Sequence, residues 1–200
     1  MGRFNDVAVS LRDAENPLDS PDTFFEHFSI PAFDEGQWPR REQGASIKSI
    51  KWQVPPRVVL LSKLNPEIER VWLADVGSTD RSVCSTEFLV LRPRPPFTRT
   101  FVYCAARSQL FRRQIEGLVT GTSKSHQRAH AGSILNLSTV LPPPRLSEAF
   151  DRAAAKPLDR TLACQRESRT VASIRDTLLP RLISGELRVN DAERFIGRAV

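Results

Sequence analysis

Cysteine is scarce in this chain and poorly placed for a structural role. Cys84, Cys104 and Cys164 are odd in number and contain no close pair, which argues against a disulfide framework and against a thiolate zinc site. All three read as core or helix-face fillers. Long apolar runs are missing as well. The longest unbroken aliphatic stretch is Val58 to Leu61, far short of the ~20 residues that a membrane helix needs. Met1 to Arg12 lacks the apolar segment of a signal peptide, so the expected location is the cytoplasm. Disorder is excluded by the opposite argument, because 40% hydrophobic against 26% charged residues is the balance of a globular chain. Its 200 residues make one domain, or one domain with a long appendage.

Catalytic signatures are absent too, and the near misses are informative. Arg94-Pro95-Pro96-Phe97 resembles the Asp/Asn-Pro-Pro-aromatic loop of amino-methyltransferases. Arginine, however, replaces the residue whose oxygen would accept from the target amino group, and no glycine-rich cofactor loop precedes it. Gly117 to Ser125 resembles a phosphate-binding loop, but Ser123 stands where glycine is required before Lys124, and the glycine spacing is wrong. No Asp/Glu-x-Lys triplet of metal-dependent nucleases occurs. His126 and His130 are four apart without a glutamate between them or a thiolate nearby, so no metal site is expected. The chain carries no self-sufficient catalytic centre and calls for no cofactor of its own.

What is present is positive charge in one region. The formal net charge is +6. Between Arg92 and Ser147, nine Lys and Arg residues face one acid, Glu116, which leaves the rest of the chain slightly acidic. A local basic excess on a near-neutral body is the footprint of a polyanion binder. Arginine far outnumbers lysine; GC-rich coding and selection for bidentate phosphate or guanine contacts explain this equally well.

Residues 1–46 are polar with scattered aromatics and Pro/Gly punctuation, and read as short strands and turns. Val58 to Leu61, Arg70 to Leu73 and Phe88 to Leu91 read as strands. Residues 100–118 read as one helix closed by Gly117, and Ile134 to Leu141 as a strand. After Pro142-Pro143-Pro144 the composition changes. Arg145 to Ser184 has no glycine and is rich in Ala, Leu, Arg and Glu. It reads as a helix of roughly 60 Å at ~1.5 Å per residue, kinked or restarted at Pro157 and capped by Gly185. Val171, Ile174, Leu178 and Leu182 form one apolar stripe on it, a face that wants a partner helix. No internal repeat is visible. The expected fold is α+β: a mixed α/β domain over 1–143, a helical region over 144–189, and a tail over 190–200.

Three polar clusters look built for a polyanion. The first is Ser62-Lys63-Leu64-Asn65-Pro66 with Arg70, where small donors and an amide beside a lysine suit phosphate and base edges together. The second is Thr120 to Arg128, with Thr122, Ser123, Lys124, His126, Gln127 and Arg128 as candidate contacts and no acid. Gln and Arg pair bidentately with adenine and guanine edges; ordinary turn chemistry accounts for the same loop equally well. The third is a helix face with Arg107, Arg112 and Arg113, which reads more simply as solvated surface.

The segments Phe24 to Pro39, Val59 to Leu73, Ser85 to Pro93, Leu118 to Arg128 and Ser173 to Val189 together resemble the DNA-specificity subunit of type I restriction–modification enzymes. The most specific is Arg-Asp-x-Leu-Leu-Pro-x-Leu-x-Ser-Gly-Glu at Arg175 to Glu186, followed by the Thr-Gly-Thr loop ending in His126-Gln127-Arg128. The resemblance implies a target-recognition domain that reads one half of a split DNA site, followed by a coiled-coil helix. It implies docking to the adenine methyltransferase subunit and, through it, to the restriction subunit, with S-adenosylmethionine, ATP and Mg bound only by those partners. Such subunits usually carry two recognition domains and two helical regions, and this sequence has one of each. It is therefore expected to be a half-subunit that dimerises or pairs with another specificity chain, a split-gene product, or a remnant without working partners.

Overall fold

The computed structural model describes residues 1–76, 80–118 and 127–187. The strands are β1 (Gly2–Arg3), β2 (Ala8–Leu11), β3 (Ala14–Glu15), β4 (Phe24–Phe28), β5 (Arg40–Gln43), β6 (Lys51–Gln53), β7 (Val59–Ser62), β8 (Val71–Leu73), β9 (Arg81–Cys84), β10 (Phe88–Pro93) and β11 (Ser138–Thr139). The helices are α1 (Phe4–Val7), α2 (Ile30–Asp34), α3 (Arg99–Arg107), α4 (Gln109–Glu116), α5 (Ala131–Leu135) and α6 (Pro144–Ile183). The chain forms two compact units, Met1–Ala154 and Ala155–Val200, with the division falling inside α6.

Among the described residues the first unit has two larger sheets and a two-stranded pair of β1 with β11. One larger sheet has four antiparallel strands in the order β2-β10-β7-β8, and the other has five in the order β3-β6-β9-β4-β5, with β4 and β9 parallel. Strand side chains alternate between faces, and in β7, β8 and β10 both faces are buried. That is why these segments read as continuous apolar runs. Leu60, Trp72, Phe88 and Val90 meet Phe28 and Cys84 of the second sheet in one core. Trp72 sits at its centre, 4.8 Å from the Phe28 ring and 5.5 Å from Phe33, both edge-on, a favoured geometry for aromatic pairs. On the other face, α3 packs across β7, β8 and β10, and the Phe4 ring lies 4.6 Å from Phe111 of α4.

Three sequence expectations are corrected here. The helix over 100–118 is two helices. Ser108 adopts an extended conformation, closes α3 through its N–H to the Ala105 carbonyl, and starts α4 by accepting from the Phe111 N–H. A serine that stops one helix while capping the next leaves the apolar periodicity almost undisturbed. The strand over 134–141 is instead α5 followed by the two-residue β11, which pairs with β1 across the chain's length. Finally, α6 runs unbroken from Pro144 to Ile183 with Pro157 and Pro180 inside it, so Pro157 starts no second segment. Gly185 follows with a φ of 74°, a left-handed value that glycine adopts freely.

Candidate nucleic-acid interface

Gln127 and Arg128, the described residues of the second polar cluster, lie beside the first cluster about sixty residues away in sequence. The loop leaving β7 runs antiparallel to residues 127–129. The Asn65 N–H donates to the Gln127 carbonyl at 2.8 Å, and the Ala129 N–H donates to the Lys63 carbonyl at 3.0 Å, around a bridge between Leu64 and Arg128. The Lys63 N–H in turn donates to the Glu87 carbonyl at 2.8 Å. Lys63, Asn65, Gln127 and Arg128 therefore share one short ladder. Thr122, Ser123, Lys124 and His126 lie outside the described residues.

The loop between β7 and β8 is fastened from within. Ser62 Oγ accepts from the Leu64 N–H and donates to its carbonyl, a local turn device of serine. Asn65 holds a φ of 47°, which asparagine tolerates better than most residues. Arg70 is buried and turned inward. Its Nε and Nη2 donate to the two carboxylate oxygens of Asp34 at 2.7 and 2.8 Å, so its placement is that of a brace between the loop and α2. The third cluster is corrected in the same way. Arg112 is buried and donates to the Pro66 carbonyl. Arg107 is held by Glu69 at 2.6 Å and by the Tyr103 hydroxyl at 2.5 Å. Of the three arginines on that face, Arg113 is the one left exposed without such a tie.

Beside the ladder lies a cleft of about 380 Å³. Its lining includes Ser10 and Arg12 at the end of β2, Trp52 of β6, Lys63, Glu87 and the stretch from Arg128 to Gly132. Arg128 pairs with Glu87 at 2.9 Å. Burial lowers the Lys63 pKa; Glu87 counters this, while Arg12 and Arg128 add to it. Arg12 and Ser10 had not been singled out from the sequence. They lie fifty residues from Lys63, and their one local signal is that positions two apart on a strand share a face; the pairing of β2 with β10, and of β10 with β7, does the rest. Among the described residues no group of three His, Cys, Asp or Glu is placed to hold a metal, and no helix is long and apolar enough to cross a membrane.

In the second unit, α6 exposes Val171, Ile174 and Leu182, with Leu178 half-buried among them. Leu179 and Ile183 extend the exposed apolar surface. Together they give α6 an apolar stripe that nothing among the described residues covers.

Comparison with solved structures identifies the architecture. The fold is that seen in type I restriction–modification specificity subunits: a mixed α/β domain followed by a long helix. A chain from a structure of type I R-M complex assembly and conformational transition matches with a TM-score of 0.63 and 23% identity over 92% of this chain and 48% of its own length. The HsdS subunit from Thermoanaerobacter tengcongensis matches with a TM-score of 0.62 and 22% identity, over 88% and 46%. The type I S subunit from M. genitalium matches with a TM-score of 0.57 and 17% identity, over 91% and 45%. This chain thus spans about half the length of the chains it matches. No family model and no curated protein matches the sequence.

Proposed function

We propose that the chain is a non-catalytic DNA-specificity module of a type I restriction–modification system, acting in the cytoplasm. Residues 1–143 read one half of a split double-stranded site. The helical region over 144–189 pairs with a second copy or another specificity chain and docks the methyltransferase subunit, which brings the restriction subunit. S-adenosylmethionine, ATP and Mg belong to those partners. One observation carries this reading: some nine-tenths of the chain folds as half of each of three chains from type I restriction–modification systems, two of them named as specificity subunits. The ladder that joins the Lys63 to Asn65 segment to Gln127 and Arg128 supports it independently, because a DNA reader needs base-edge and phosphate contacts on one face.

Duplex binding by the purified chain, measured against salt, tests the reading. Each neutralised phosphate contributes about −0.9 to the slope of log K against log salt, so a reader using several cations gives a steep slope. A flat slope, or no binding with or without the methyltransferase subunit, would leave a protein-interaction module in its place.

A further inference from the structure

Several arginines of the first unit are committed to partners. Arg40, Arg41, Arg70, Arg81, Arg107 and Arg112 each hold a carboxylate or a carbonyl. The cleft beside the ladder differs from these. Among the described residues, neither the Arg12 guanidinium nor the Lys63 amine makes a hydrogen bond or an ion pair, yet both line the same 380 Å³ space. The nearby carboxylate, Glu87, is already engaged by Arg128. Lys63 is moreover half-buried, with Arg12 and Arg128 beside it and the Glu87 carboxylate opposing them, so an added anion in the cleft would favour its charged form. Ser10 lines the cleft as well, and its Oγ is buried with no partner among the described residues. A buried hydroxyl without a partner is uncommon and needs an explanation. Trp52 supplies an apolar wall.

We propose that this cleft is a phosphoryl-binding subsite, in which Arg12 forks onto the oxygens of one phosphoryl group, Lys63 supplies a point charge and Ser10 Oγ donates the third contact. Arginine suits bidentate phosphate geometry and lysine the compact charge. The phosphoryl group comes either from a DNA strand, in which case the proposal rests on the DNA-binding reading above, or from a free phosphorylated small molecule.

The test uses the full chain and the single variants Arg12→Gln and Lys63→Met. The first changes an exposed residue, so it keeps the test valid if the second folds poorly. Thermal melting is followed as inorganic phosphate replaces chloride at constant ionic strength, and duplex DNA affinity is measured against salt. The expected result is a saturable rise in wild-type melting temperature at millimolar phosphate that both variants lose, with a DNA salt slope lowered by about 1 in each. Saturable protection lost in the variants, with DNA slopes unchanged or with no DNA binding at all, assigns the site to a free phosphorylated molecule; in the latter case the DNA reading fails while the subsite stands. Equal behaviour of wild type and variants toward phosphate, with equal DNA slopes, overturns the subsite and leaves the DNA reading intact.

Discussion

An arginine counts the same in a net charge whether it faces water or a carbonyl, and in this protein the difference decides which residues are available to a ligand. Arg112 spends its guanidinium on the buried Pro66 carbonyl, and Arg70 spends its own on Asp34. Both bonds converge on the loop that carries Lys63 and Asn65. These arginines fix the loop from behind and leave the outward face to others. The distinction is measurable with Arg112→Met, which keeps the stem but removes the donor. Leaving a buried acceptor unsatisfied costs about 1–3 kcal/mol, whereas Arg113→Met on the exposed side of the same helix should fall within about 0.5 kcal/mol of wild type. Urea unfolding of the two variants reads this directly; equal losses would return Arg112 to the surface. Local charge density singled out one stretch of the chain, but it could not separate braces from exposed cations, because that depends on which carbonyls and carboxylates the fold brings near.

At the scale of elements, legibility followed the source of each element's order. β7, β8 and β10 were readable because strands buried on both faces leave unbroken apolar runs. α6 was readable because a glycine-free stretch rich in Ala, Leu, Arg and Glu has few other options. The break at Ser108 was not, since it depends on one serine acting twice. Nor was β11, whose partner lies at the opposite end of the chain. In the same way, the Lys63 and Gln127-Arg128 segments were each legible as polar clusters, while their shared ladder was not, being a product of long-range pairing. The exposed stripe of α6 yields a prediction at this scale. Val171 and Ile174 are 65% and 52% exposed, so a second helix laid on them removes apolar area from water at about 25 cal/mol per Å². Leu178→Asp with Leu182→Asp places two charges on that stripe. Light scattering at micromolar concentration should show the wild type as a dimer and the double variant as a monomer, with circular dichroism confirming that the first unit remains folded. A wild type that stays monomeric would remove the self-pairing half-subunit from consideration.

For the whole molecule, self-pairing has a consequence that the recognition loops do not control. Two identical chains joined through one self-complementary helix face are related by a two-fold axis, and the two recognition domains are then presented to DNA as symmetry mates. A two-fold protein matches a two-fold site. On the proposed reading, a site bound by the self-paired chain is therefore an inverted repeat, whichever residues of the first unit read it. A pairing with a different specificity chain carries no such constraint, and its two half-sites are free to differ. Selection of bound duplexes from a random pool, using the purified chain with its methyltransferase subunit, distinguishes the two assemblies. Two half-sites of the same sequence on opposite strands at one fixed spacing are expected for the homodimer, and changing one half alone should cost about 1–3 kcal/mol per altered base pair. A selected site with two unlike halves would require a second kind of specificity chain in the complex. A single unsplit half-site would mean that the chain reads DNA without a partner helix on α6.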